Sequence, residues 1–250
     1  MKKPGRSGAS KVLSWMFEMS LIVIGALIIS ALIRTFIGQM FIIPSGSMEN
    51  TLQPGDRVMV SKVGGFQRGD IVVFEDPGGW MTLHPEPRSA IGQAFEFVGL
   101  LPSSGTNHLI KRVIGMPGDR VRCCDGEGRM SVNGHVLDES SYLFTDANGV
   151  QVAPANVPFD VTVPKDRIFV MGDHRNASGD SRCRLNDISQ GGRGAPAFVP
   201  RDRVLGATVA IVSPLDRLRL FNPPEVFASV PAPAEPAPDT PVLTVANPGC

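Results

Sequence analysis

Three patches of the chain carry side chains that could do chemistry. The first, Ile43-Pro44-Ser45-Gly46-Ser47-Met48-Glu49-Asn50-Thr51-Leu52, offers Ser45 and Ser47 in a Pro/Gly setting; serines flanked in this way often only build a turn. The second, Leu109-Ile110-Lys111-Arg112-Val113-Ile114-Gly115-Met116-Pro117-Gly118-Asp119, sets a lysine inside an apolar run that turns at Pro117-Gly118. An ammonium pointed into a dry interior favours its neutral form. A neutral lysine is a competent general base, and a serine hydroxyl within its reach can lose its proton while attacking an amide carbonyl. Such a pair needs no histidine. The competing assignment has Lys111 snorkelling from a strand edge with its head in water. The third patch, Met171-Gly172-Asp173-His174-Arg175-Asn176-Ala177-Ser178-Gly179-Asp180-Ser181-Arg182, is a polar loop able to supply a supporting shell.

The first patch lies just beyond an apolar run. Met19 to Ile33 carries no charge and is bounded by Glu18 and Arg34. With Val12 to Phe17 before it and Phe36 and Ile37 after it, the stretch reaches the ~20 residues that a bilayer needs, with Arg34 snorkelling to the surface. The expected transmembrane signal anchor is 15–37. Lys2, Lys3, Arg6 and Lys11 precede the run, so the basic segment 1–14 is expected in the cytoplasm and the remainder outside the cell membrane, as a single-pass protein. A cleavable signal peptide, cut near Ser30-Ala31, is the alternative. Apolar character continues through Phe36-Ile37 to Phe41-Ile42-Ile43 without a polar cleavage region, which suits an uncleaved anchor.

Beyond the anchor, short Val/Ile/Phe-rich runs alternate with Gly, Pro and Asp, the pattern of strands and tight turns. Examples are Arg57 to Val60, Ile71 to Phe74, Leu109 to Ile114, Met130 to Val132, Arg167 to Met171 and Val204 to Val212. Asn133-Gly134 predicts a hairpin, because both central residues of that turn need positive φ. The fold class is therefore mainly β, a β-rich catalytic domain over 38–222 with an accessory β region at 120–165. Pro77 to His108 is an expected insertion with a possible helix around Ala90 to Val98. The segment 223–250, dominated by Pro and Ala and without Lys or Arg, reads as a disordered tail.

Composition excludes some classes. The 250 residues carry 24 Lys plus Arg against 24 Asp plus Glu, so nothing beyond the basic start supplies the footprint of a nucleic-acid binder. Nothing selects one of His84, His108, His135 and His174 for a Ser/His/Asp triad, and no Gly-x-Ser-x-Gly elbow accompanies them. Asn176-Ala177-Ser178 formally matches a glycosylation acceptor inside the third patch, where a glycan would obstruct. Gly191-Gly192-Arg193-Gly194 lacks the lysine of a phosphate-binding loop. In an oxidising exterior, one of Cys123 or Cys124 is expected to pair with Cys183, since adjacent cysteines do not easily bridge and Cys250 ends the tail. Buried free thiols are the alternative. The adjacent pair lacks the spacing of a zinc site.

In this order and behind this anchor, the three patches resemble the signature boxes of bacterial type I signal peptidases, serine proteases that use a Ser/Lys dyad. Arg34-Thr35-Phe36 leading to Ile43-Pro44-Ser45-Gly46-Ser47-Met48 is similar to the serine box. The resemblance implies that Ser47 is the nucleophile and that the Ser45 hydroxyl joins the Ser47 backbone N–H in an oxyanion hole. Gly69-Asp70-Ile71-Val72-Val73-Phe74 resembles a core strand lining the substrate cleft. Lys111 falls at the general base, with Arg112 in the supporting shell. Ser178 would hydrogen-bond the lysine, and Asp180 and Arg182 would buttress the site. His174, Asn176 and Ala177 depart from the family pattern and take no role from it. The family implies cleavage of preprotein signal peptides after small residues, near the lipid bilayer and the export machinery. It implies a cleft for an extended strand with two shallow apolar pockets, and no metal or organic cofactor. Two rivals remain: a self-cleaving repressor, which the anchor and the absence of a DNA-binding region oppose, and a membrane-anchored domain that binds exported chains without cutting them.

Overall fold

The computed structural model of the chain describes residues 8–81, 89–97 and 107–246. Lys2, Lys3, Arg6, His84, Val98 and Cys250 lie outside the described residues, as does much of the 77–108 insertion. The chain opens with helix α1, Gly8–Phe36, which starts earlier than the span expected at 15–37. Within it Lys11–Ile33 has a mean hydropathy of 2.4, and none of it is buried against the rest of the chain. Those 23 residues rise about 34 Å, enough for the ~30 Å of a bilayer's hydrocarbon core. Leu21, Ile22, Val23 and Ile24 are all exposed, so the helix is apolar on every side rather than along one stripe. Ser20 and Thr35 return their hydroxyls to the Phe17 and Ala31 carbonyls at 2.8 Å, which satisfies both without water.

The rest is β-rich, as expected. The strands are β1 (Gly38–Ile42), β2 (Arg57–Ser61), β3 (Ile71–Glu75), β4 (His108–Gly115), β5 (Arg120–Cys123), β6 (Met130–Val132), β7 (His135–Val136) and β8 (Phe159–Thr162). They continue with β9 (Arg167–Met171), β10 (Ile188–Ser189), β11 (Gly192–Arg193), β12 (Val199–Pro200), β13 (Val204–Ser213), β14 (Arg219–Leu220) and β15 (Val242–Ala246). The helix expected from Ala90 is α2, Ala90–Phe97. The larger sheet runs β1-β2-β13-β3-β4-β9-β12, with β14 beside β13, and the second runs β15-β8-β5-β6-β7. Every pairing is antiparallel.

The alternation of side chains along β3 builds two layers at once. Ile71 and Val73 enter an apolar cluster with Met48, Leu52, Val58 and Ile110. Val72 and Phe74 enter another with Trp80, Val113 and Val170. With β4 on one side and β13 on the other, β3 is central and covered on both faces, which is why Ile71 to Phe74 is an unbroken apolar run before the exposed Glu75. The Asn133-Gly134 hairpin forms as expected, with φ of 53° and 80° and Val132 opposite His135.

Two expectations need correction. The segment from Pro223, expected to be disordered, is ordered through residue 246. Phe227 and Val230 are buried in the core beside the second sheet, and the Phe227 ring stacks on Tyr142 at 6.2 Å. Asn133 Nδ2 donates to the Pro231 carbonyl at 2.8 Å and the Lys165 N–H to the Pro238 carbonyl at 2.7 Å; β15 then pairs with β8. A few anchors suffice because prolines leave the unfolded chain less freedom to lose. Phe227→Ala is expected to cost about 3–4 kcal/mol in urea unfolding. A loss below about 0.5 kcal/mol, the level of an ordinary surface change, would show that the strap is not part of the core. The disulfide joins Cys123 to Cys124, with Cα atoms 3.0 Å apart across a cis peptide bond. Neither cysteine is joined to Cys183, the partner expected for one of them.

Candidate active site

Leaving β1, the chain passes Pro44 and Ser45 into a single 3₁₀ turn, Gly46–Met48. Met48 and Leu52 are completely buried under it, and the Leu52 N–H returns to the Met48 carbonyl at 2.7 Å. This apolar plug fixes the backbone that carries Ser47. Lys111 lies in the middle of β4, opposite Val72 of β3. It is 3% exposed, which removes the snorkelling alternative, and its Nζ donates to Ser47 Oγ at 2.5 Å. The lysine's pKa is lowered from 10.5 to about 8, chiefly by burial, against the opposing pull of Asp180 and Asp173. Ser45 Oγ stands 3.5 Å from Ser47 Oγ, at the limit of a hydrogen bond.

The third patch folds against this pair. A Cβ on Gly172 would collide with the Ser47 carbonyl oxygen and Ser178 Oγ, so only glycine lets the two segments approach. Asp180 is fully buried and collects the Gly172 N–H at 3.0 Å, the Ser178 hydroxyl at 2.8 Å and the Arg182 fork at 2.9 and 2.8 Å. Burial alone would raise the Asp180 pKa, but Arg182 and these donors hold it below the ordinary carboxylate value. The Ser178 hydroxyl, expected beside Lys111, gives its proton to Asp180, a buried carboxylate two residues away. Asp180 and Arg182 form a buried ion pair at 2.8 Å.

Arg112, next along β4, faces away from Lys111 and forks onto Asp173 at 2.8 and 2.6 Å while donating to the Gly69 carbonyl at 2.7 Å. Thr51 donates to the same Asp173 at 2.5 Å, tying the serine loop to the third patch. Burial opposes the charge of Arg112, yet Asp173 outweighs it and raises the guanidinium pKa. The Arg112 guanidinium also sits 4.3 Å from the Tyr142 ring centroid, and the Tyr142 hydroxyl donates to Glu139 at 2.6 Å. Glu139 receives Arg175. Asp173 and Arg175 could have been singled out as an acid and a base within a polar loop, whereas Thr51, in the serine patch, carried no such signal. Glu139 and Tyr142 gave none. Beside the pair, Ser45, Lys111, Phe41, Ile43 and Val73 help line a cavity of about 40 Å³, room for little more than a methyl group.

Residues 16–213 match the family described as "Signal peptidase, peptidase S26". A probable signal peptidase I of Mycobacterium leprae is 33% identical over 234 residues, covering 82% of this chain and 78% of the relative. A signal peptidase I P of Bacillus subtilis subsp. natto is 30% identical over 217 residues, covering 84% of this chain and 94% of the relative. The chain belongs to the signal peptidase family, peptidase S26. Within that family the relatives it matches carry the name signal peptidase I, among them one from Mycobacterium tuberculosis (strain CDC 1551 / Oshkosh), 33% identical over 82% of this chain and 76% of its own.

Proposed function

We propose that the chain is a membrane-bound endopeptidase that removes N-terminal signal peptides from exported preproteins, with Ser47 as nucleophile and Lys111 as general base. The buried 2.5 Å contact between Lys111 Nζ and Ser47 Oγ carries this reading. As the neutral amine, Lys111 accepts the Ser47 proton while Oγ adds to the scissile carbonyl. The Ser47 N–H and the Ser45 hydroxyl receive the oxyanion. The Lys111 ammonium gives its proton to the leaving amine, and the acyl group stays on Ser47. Water then adds to the ester, its proton passing to Lys111 and on to the departing Ser47 oxygen, which restores the pair. Asp180 and Arg182 hold the surrounding backbone, and Arg112 anchors Asp173.

The location follows from connectivity. α1 runs into β1 with only Ile37 between them, and the serine turn begins at Gly46, so the site stays within a short distance of the bilayer. The charge bias of the basic start supports an extracytoplasmic site, where the end of a signal peptide emerges from the export machinery. The cavity of about 40 Å³ beside Ser45 and Lys111 suits the small residues with which signal peptides end. The anchor continues to oppose a cytoplasmic self-cleaving repressor.

The test is cleavage of a purified preprotein by the full chain in detergent micelles, with the product's new N-terminus read by mass spectrometry. One cut after a small residue at the signal-peptide boundary is expected. The rate rises with pH as Lys111 loses its proton, with a midpoint near its value of about 8; at pH 7 it is about a tenth of its plateau. A rate independent of pH across that range removes Lys111 as the base. No cut in any of several preproteins favours the domain that binds exported chains without cleaving them.

A further inference from the structure

His174, a departure from the family pattern, lies over the serine turn. Its main-chain N–H donates to the Ser47 carbonyl at 3.1 Å. Its ring Nδ1 is 3.0 Å from Glu49 Oε2 and 3.3 Å from the Gly46 carbonyl oxygen. Both partners accept, so Nδ1 carries the proton. The ring stacks on Phe144, centroids 3.8 Å apart at 18°, and the Phe144 N–H is tied to the Asp173 carbonyl at 3.2 Å. Glu49 folds back across Gly46, where a Cβ would come within 2.7 Å of Oε1, and its own N–H donates to the Gly46 carbonyl at 3.0 Å.

The Gly46 carbonyl and the Ser47 N–H are opposite ends of one planar peptide unit, so whatever holds the carbonyl aims the N–H. We propose that His174 is a positioning residue that sets the Gly46–Ser47 peptide plane and thereby points the Ser47 N–H at the developing oxyanion. Glu49 holds the imidazole in the required tautomer. The inference rests on the assignment of Ser47 as nucleophile. An oxyanion donor acts on charge present only in the transition state, so its misalignment lowers kcat and leaves KM nearly unchanged. Removing such a donor outright costs about 10²- to 10³-fold; tilting it costs less, roughly tenfold.

The test uses the full chain in micelles. His174→Phe keeps the stack on Phe144 and loses the ring donor, whereas His174→Asn restores a side-chain N–H close to the Nδ1 position. His174→Phe is expected to lower kcat roughly tenfold with KM within about twofold, and His174→Asn to recover to within about threefold of wild type. Wild-type kcat in His174→Phe overturns the assignment. So does a loss confined to KM, or an equal loss in both variants, which would mark a purely structural role. If His174→Phe does not fold, Glu49→Leu is measured against the same kcat criterion. Ser47→Ala in the same assay keeps the two ideas apart: cleavage by Ser47→Ala sinks the nucleophile assignment, whereas an inactive Ser47→Ala beside a fully active His174→Phe sinks only the role of His174.

Discussion

Lys111→Met is expected to reduce preprotein cleavage by about 10³-fold or more at every pH while the chain unfolds at a higher urea concentration than wild type. Methionine fills the lysine's space without an amine, so Ser47 has no base, and raising the pH cannot restore one. The stability effect follows from the pKa of about 8 in place of 10.5. Between those two values the unfolded chain binds a proton that the folded chain does not, so wild-type stability rises with pH across that window. Below about pH 8 the folded chain bears the full cost of the buried ammonium, on the order of 3 kcal/mol; above about 10.5 the cost is gone. Methionine removes it at all pH values. The gain should be largest at pH 7 and shrink as the pH rises, until near pH 10.5 the partner lost to Ser47 leaves a net loss of about 1 kcal/mol. Residual cleavage within tenfold of wild type would dismiss the lysine as base. A Lys111→Met chain several kcal/mol less stable at pH 7 would mean that the ammonium supports the fold.

What the sequence made legible depended on whether a residue's role is local. Lys111 could be read as a candidate base because Leu109-Ile110 and Val113-Ile114 flank it with apolar residues, while its snorkelling alternative was settled only by its burial in the fold. Ser47 could be read as exposed to chemistry because Pro44 and Gly46 interrupt the strand pattern just past the anchor. The turn at Asn133-Gly134 was legible for the same reason, since its geometry is a property of two adjacent residues. The Arg112–Asp173 pair was not, because 61 positions separate its members and no local pattern records which carboxylate a buried arginine will meet. Glu139 and Tyr142 sit in a stretch without strand or helix periodicity, so the cation–π contact and the Arg175 pair came only from tertiary packing. Composition misread the segment after Pro223 because it averages over anchors: Phe227 and Val230 are two residues among many Pro and Ala, yet they are buried. The resemblance located Ser178 and said nothing of the carboxylate that takes its proton, Asp180.

Arg112→Met and Asp173→Leu are each expected to destabilise the chain by about 3–5 kcal/mol, and the double variant by far less than their sum. Both side chains are buried, with 4% and 0% exposure. Removing Asp173 alone leaves the Arg112 guanidinium in the interior with only the Gly69 carbonyl and the Tyr142 face, and takes the acceptor from Thr51. Removing Arg112 alone strands the Asp173 carboxylate with the Thr51 hydroxyl. The double variant strands neither charge, and what it loses is the hydrogen bonds to Thr51 and Gly69, each about 1 kcal/mol. A coupling of about 2 kcal/mol or more in a double-mutant cycle, read by urea unfolding, is the expected result. Additive losses would mean that each residue acts through separate neighbours, Arg112 through Tyr142 and Asp173 through Thr51. In that case the link between β4 and the serine turn would not run through their ion pair. The cleavage rate discriminates further: Thr51 joins Asp173 to the loop that carries Ser47, so a double variant that regains stability without regaining activity locates the functional share of the network in the Thr51–Asp173 bond.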